Sequence, residues 1–246
     1  MPTNENKKKN WYASWFDTAY YHILYKDRDY AEAQHFMDSL TQYLNLPDDA
    51  KILDLACGKG RHSIYLNSLG YDVTGADLSE NSIAEASNFA NETLHFKVHD
   101  MRISCEEKYD AIFNLFTSFG YFEDDDDNLK TIQAIHNSLN ETGFACIDFM
   151  NVDYVIKNLV PEEIKTVDNI DFHIKRYYEN NHIFKEITFE ADGEKHHFIE
   201  RVQALRLEDF EQIMETAGVY LLDIFGNYKL QKFYKNQSER LIMIFK

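Results

Sequence analysis

The chain is short of cysteine, short of positive charge and without a long apolar run, and each shortage excludes something. Its three cysteines, Cys57, Cys105 and Cys146, are odd in number and widely spaced. They offer neither a disulfide framework nor a zinc-ligand pattern, and a reducing cytoplasm suits them. Lys and Arg total 25 against 42 Asp and Glu, a formal net charge of −17. Such a surface repels phosphate backbones, so nucleic acid is not an expected partner, and Lys7-Lys8-Lys9 is too short a run to reverse that. No apolar stretch approaches the roughly 20 residues of a membrane-spanning helix. Met1 to Asn10 is polar and lacks the apolar centre of a secretory signal. The expectation is a cytoplasmic protein with no membrane partner. Internal repeats and low-complexity segments are also missing. What is present is core material: 44% hydrophobic and 15% aromatic residues in 246 positions, suited to one large domain or one domain with an insertion.

Residues 11–46 are strongly aromatic at helical spacing. Tyr12, Trp15 and Phe16 fall on one side of a helix, and Phe36, Leu40, Tyr43 and Leu44 form a second stripe. A turn at Leu46-Pro47-Asp48-Asp49 closes the section. Strands and helices then alternate: strands over 51–56, 71–76, 94–98, 109–114 and 143–149, with helices over 60–69, from 79 or 80 to 90, and over 125–139. Ser79 is a candidate cap for the second of these helices. Alternation with short connections implies a parallel sheet covered on both faces, and ligands on such sheets sit at the carboxyl ends of the strands. Asp54, Asp77, Asp100 and Asn114 all fall there. Beyond Asn151 the pattern changes to long β-branched and aromatic runs at 171–179, 182–191 and 194–205. Asn180-Asn181 and Asp192-Gly193 separate them as two-residue hairpin turns, a three-stranded antiparallel meander. A helix over 207–217, stopped by Gly218, and strands over 219–225 and 241–245 complete the chain.

The segment Ile52-Leu53-Asp54-Leu55-Ala56-Cys57-Gly58-Lys59-Gly60-Arg61 carries the most information. An apolar strand ends in an acid and passes through a loop of small residues into a helix, a loop that lets a ligand approach the backbone closely. Tyr71-Asp72-Val73-Thr74-Gly75-Ala76-Asp77 is a second strand ending in a second acid. The sequence Asp54-x-Ala56-x-Gly58-x-Gly60 resembles the acid-x-Gly-x-Gly-x-Gly pattern of the class I S-adenosylmethionine-dependent methyltransferases, with alanine replacing one glycine. The resemblance covers about residues 50–150 well and 205–246 moderately. It implies a doubly wound Rossmann-like α/β sheet, with an N-terminal helical lid at 1–48, a core at 49–152 and 205–246, and a meander insertion at 153–204 over the active site.

For the cofactor, S-adenosyl-L-methionine, the resemblance implies that Asp54, Ala56, Gly58 and Gly60 hold the methionine part and that Asp77 bonds the ribose hydroxyls. Leu78 would pack on the adenine, Asp100 and Met101 would read its edge and cover its face, and Asn114 and Leu115 would line the floor beneath the methyl. From the lid, Tyr21 would touch the cofactor and Arg28 would pair with its carboxylate. Arg61 and His62, at a helix start, are open to the same carboxylate or to solvent. The loop after strand four is aromatic and lacks the Asn/Asp-Pro-Pro-Tyr pattern of many adenine and glutamine methyltransferases. Phe119 and Tyr121 would wall a dry acceptor pocket, which suits methyl transfer because alignment and water exclusion supply much of the catalysis.

In the meander, Arg176 and His173 are candidates to reach an acceptor, and Tyr121, His173 and Tyr12 are candidates for a general base. No metal is expected. The acids at 124–127 start a helix, where the dipole favours them, and His196 and His197 point to opposite faces of a strand. The function expected is methyl transfer to a small-molecule nitrogen or oxygen nucleophile. Three other readings stay open at this point. The first is a nicotinamide-dependent oxidoreductase, whose G-x-G-x-x-G pattern would place Ser63 at its third glycine. The others are a protein methyltransferase and a non-catalytic S-adenosylmethionine binder.

Overall fold

In the computed structural model, which describes residues 15–26 and 30–246, the alternating segments build a seven-stranded sheet of order β10-β11-β5-β4-β1-β2-β3. Strands β1 (Lys51–Leu55), β2 (Asp72–Asp77), β3 (Leu94–Val98), β4 (Tyr109–Asn114) and β5 (Leu139–Met150) run parallel. Strand β11 (Arg240–Phe245) pairs antiparallel with β5, and β10 (Leu221–Phe225) pairs antiparallel with β11 at the sheet edge, so β11 alone runs against the other strands. The chain leaves β1 toward β2 on one side and returns as β4 on the other. A crevice therefore opens between β1 and β4 at their carboxyl ends, where ligands bind such sheets.

Helices α1 (Ala19–Leu24), α2 (Tyr30–Leu44), α3 (Arg61–Ser68), α4 (Glu80–Ala86), α5 (Asp125–Ser138), α6 (Val152–Lys157) and α7 (Leu207–Ala217) supply the covering layers. Two cores lie on opposite faces of the sheet. One packs Ile112, Ile132, Ile147, Phe149 and Phe210 beneath α5 and α7, and the other packs Phe36, Leu40, Ile52, Leu66 and Val73 beneath α2 and α3. The antiparallel run is longer than its sequence pattern predicts. It has four strands, β6 (Glu162–Val167), β7 (Ile170–Glu179), β8 (His182–Ala191) and β9 (Glu194–Gln203). The extra strand β6 was hidden because half of its residues are charged and most are exposed. A positive-φ turn at Asp168-Asn169 joins it to β7. Helix α6 is likewise too short for its period to register, and β5 starts four residues earlier than the apolar run suggests.

One face of this second sheet packs on the N-terminal segment. Trp15 and Leu24 join Val167, Phe172, Ile174, Ile187 and Phe189 in a third core. The base of β9 is tied to the main body through Gln203, whose Nε2 donates to Asp125 Oδ1 (2.7 Å) and whose Oε1 accepts from Asn128 Nδ2 (2.5 Å). These bonds hold the second sheet beside the carboxyl ends of the central strands. Among the described residues no helix is long and apolar enough to cross a membrane.

Candidate active site

A cavity of about 490 Å³ occupies the crevice, a size typical of small-molecule sites (roughly 300–1,000 Å³), and it draws its wall from β1, β2, the loops after β3 and β4, the N-terminal segment and β9. The loop after β1 is pinned to the neighbouring strand: Ala56 N (2.8 Å) and Cys57 N (3.0 Å) both donate to Ala76 O. Ala56 takes a left-handed φ of 68°, Gly58 one of 55° and Gly60 one of 79°. Gly58 borders open space, whereas a Cβ on Gly60 would lie 2.5 Å from the Phe96 ring. The first glycine thus leaves room for a ligand, and the second allows close packing of α3 on the sheet.

Two carboxylates stand at the ends of β1 and β2. Asp77 accepts Gly58 N (2.8 Å) on one oxygen and Ser79 N (2.9 Å) on the other. Burial is the main cause of its raised pKa, and these backbone bonds oppose the shift. Asp54 is deeper, bonded by Ser63 Oγ at 2.6 Å. Burial pushes its pKa up to about 6, with the Asp77 charge adding to the effect. A carboxyl that holds its proton more tightly when folded than when unfolded makes stability fall as pH rises between the two values, here from about 4 to about 6. Asp54→Asn removes this slope. Its unfolding free energy should exceed that of the wild type by on the order of 2 kcal/mol at pH 7, with the gap closing toward pH 4. Chemical denaturation at the two pH values checks this, and a gap that widens toward acid would reject it.

At the end of β3, Asp100 is gripped by Arg102, whose guanidinium reaches Asp100 Oδ2 (2.6 Å) and, on its other arm, Asp127 Oδ2 (2.6 Å). These bonds hold the Asp100 carboxyl below the usual range. The acidic run at the start of α5 is accounted for by its own bonds. Asp124 caps Asp126 N, Asp125 accepts from Gln203 and Asp127 from Arg102. No group of three or more ligating side chains suited to a metal occurs among the described residues.

The loop after β4 is strained and buttressed from below. Phe116 and Thr117 are consecutive non-glycine residues with φ of 58° and 62°, a conformation costing on the order of 1–2 kcal/mol each. Asp148, fully buried, holds both: its Oδ2 accepts Phe116 N (2.8 Å) and its carbonyl accepts Thr117 N (2.9 Å). Arg240 completes the arrangement, with Nε 2.8 Å from Asp148 Oδ1 and Nη2 2.9 Å from Thr117 Oγ1. Neither Asp148 nor Arg240 is marked in the sequence. Asp148 sits inside an apolar strand run, and an unexpected charge in such a run is the one signal that could have singled it out; Arg240 opens β11 after polar residues and carries no such signal.

A methyltransferase-domain family model matches residues 52–143, the segment that contains the pinned loop and all three strand-end acids. Among solved structures, an S-adenosylmethionine-dependent methyltransferase from Clostridium acetobutylicum is similar over 92% of this chain and 95% of its own, with a TM-score of 0.77 and 25% identity. The chain is a class I S-adenosylmethionine-dependent methyltransferase. YqeM of Bacillus subtilis, whose name carries a provisional methyltransferase assignment, is 26% identical over 83% of this chain and 87% of its own. A glycine/sarcosine N-methyltransferase from Halorhodospira halochloris is 24% identical over 78% of this chain and 74% of its own. The nicotinamide and non-catalytic readings are thereby set aside.

Within the methyltransferase cavity the structure gathers Asp54, Ala56, Gly58, Asp77, Leu78, Asp100, Met101, Leu115, Tyr21 and Tyr121. Several expected residues lie elsewhere. Gly60 packs against Phe96 behind the loop. Asn114 is fully buried, and its Nδ2 donates to Leu55 O (3.0 Å), tying the ends of β4 and β1 together rather than lining the cavity. Phe119 turns into the core against Phe210, with ring centroids 5.5 Å apart, because an apolar ring at a loop end gains more from burial than from a half-open wall. Arg176 pairs with Glu163 at 2.5 Å outside the cavity. His173 stands exposed on the opposite face of β7 from Phe172 and Ile174, as strand alternation demands. Tyr12 and Arg28 fall outside the described residues. Wall residues not expected from the sequence include Phe116, Arg102, Tyr25, Glu200 and Val202.

Proposed function

We propose that this methyltransferase transfers a methyl group to a nitrogen or oxygen nucleophile on a small molecule, with nitrogen favoured. The observation that carries this reading is the shape of the cavity. The wall that holds Asp54, Gly58 and Asp77 continues into a chamber lined by Phe16, Tyr25 and Tyr121. Residues of the N-terminal segment and of the second sheet share the wall of that cavity with the central strand ends, and a concave site of this size suits a small acceptor better than a protein surface. The similarity to a relative named for glycine and sarcosine N-methylation supports nitrogen.

The residues present fit S-adenosylmethionine. Open space beside Gly58 admits a ligand against the loop backbone, and a carboxylate is a good double acceptor for a ribose diol. In this reading Asp54, Ala56 and Gly58 hold the methionine part and Asp77 the ribose. Leu78 and Met101 sandwich the adenine, Asp100 reads its edge, and Leu115 lies under the transfer point. The cofactor supplies an electrophilic methyl on a sulfonium. This chain's residues align the acceptor, and the aromatic wall excludes water.

Two measurements test the reading together: calorimetric titration with S-adenosylhomocysteine, and transfer of a labelled methyl group to a panel of small amines and alcohols or to protein. Label appearing in small amines supports the proposal. Label appearing in added protein alone would replace it.

A further inference from the structure

Among the residues of the cavity wall, Glu200 is not one of those assigned above to the cofactor and is not explained by the fold of the central sheet. It comes from β9, and with Val202 it lines the cavity. Its Oε1 accepts two hydrogen bonds, from Trp15 Nε1 and from the Tyr25 hydroxyl, each 2.8 Å. The Trp15 ring is 1% exposed, and an indole nitrogen only donates, so one carboxylate oxygen is fixed as an acceptor. Lys185 Nζ stands 3.9 Å from Oε2, beyond hydrogen-bond length, and it also contacts the Tyr25 hydroxyl. Among the described residues Oε2 has no closer partner.

A partly buried carboxylate, side chain 17% exposed, is costly to hold unless its charge is used or compensated. Here two neutral donors orient it, and the Lys185 ammonium, 3.9 Å from the other oxygen, offsets part of its charge without hydrogen-bonding that oxygen, which keeps acceptor capacity. A preoriented carboxylate in the cavity wall, near the Tyr25 ring, is complementary to a cation that donates hydrogen bonds.

We propose that Glu200 is the specificity-determining residue of the acceptor site, and that its carboxylate takes the ammonium group of an amine substrate and so selects amines over alcohols. The inference rests on the small-molecule reading above. Trp15 reports on it directly, since its indole touches the same carboxylate and the chain has two tryptophans. In a Trp11→Phe background, the fluorescence of Trp15 is followed as the S-adenosylhomocysteine complex is titrated with methylammonium, ethanolamine and glucosamine. The matched series is methanol, ethylene glycol and glucose.

At least one amine should give a saturable change that its matched alcohol does not. Glu200→Gln keeps an oxygen for Trp15 and Tyr25 but loses the charge. It should weaken that amine about tenfold or more while S-adenosylhomocysteine affinity stays within about twofold. Saturable responses to the alcohols equal to those of the amines, no response to any amine, or an unweakened Glu200→Gln variant would each overturn the proposal. Failure of S-adenosylhomocysteine to bind the unsubstituted protein would overturn the reading on which it rests.

Discussion

Asp77→Ala should weaken S-adenosylhomocysteine binding by roughly 100-fold or more, with little change in thermal stability. The carboxylate already accepts Gly58 N and Ser79 N, one on each oxygen. Its remaining acceptor capacity is what we propose meets the ribose hydroxyls. Hydrogen bonds to a charged acceptor are worth about 1.5–3 kcal/mol each, so losing two of them corresponds to a factor of 100 or more. The loss has a second source, because the alanine also frees Gly58 N and the loop that shapes the methionine end. The fold is spared because both freed N–H groups lie beside a cavity that water can enter. Calorimetry on the two proteins decides the matter. An alanine variant that binds within about threefold of the parent would remove Asp77 from the cofactor site.

Arg240→Ala should be the most damaging substitution outside the cavity, destabilising the protein by about 3–5 kcal/mol, because it strands a buried carboxylate. Asp148 is fully buried, and Arg240 is its ion-pair partner. For a chain of this size the midpoint of thermal unfolding should fall by roughly 10 °C. The double variant Arg240→Met, Asp148→Asn removes both charges and should lose less than Arg240→Ala alone. The expected functional consequence follows from Phe116 and Thr117. Their left-handed backbone is held only by Asp148 and Arg240 among the charged groups of the described residues, so turnover should fall in both variants even where the double variant regains stability. A melting point for Arg240→Ala within about 2 °C of the parent would show that the pair is dispensable.

Much of the central architecture was readable from local pattern. Asp54 and Asp77 end apolar runs of strand length, Ser79 caps α4 by accepting Ser82 N, and Asn180-Asn181 and Asp192-Gly193 take the positive φ values that two-residue hairpins require. These features depend on a few neighbouring residues, which is why a linear reading finds them. The misreadings share an opposite cause. Phe119 and Asn114 follow or end β4, where the family resemblance places cofactor and acceptor contacts. For Phe119 the choice between cavity and core depends on the course of the loop, which Asp148, far away in sequence, braces at Phe116 and Thr117, and for Asn114 it depends on the neighbouring strand, whose Leu55 carbonyl accepts its amide. Arg176 shares a face of β7 with Phe172 and Ile174, and Glu163, on the strand that the sequence pattern missed, takes its charge.

The amino-acid sequence by itself determined the doubly wound sheet, the pinned glycine loop and the acids at three strand ends, because strand period, turn chemistry and small residues act over a few positions. Only the tertiary structure decided what faces those acids. The bond from Trp15 to Glu200 joins residues 185 apart and the bond from Arg240 to Asp148 residues 92 apart. The first exists because the N-terminal segment packs on the second sheet, and the second because β11 pairs with β5. A one-residue slip in β9 would turn Glu200 away from the cavity, and no local pattern in the sequence records that choice.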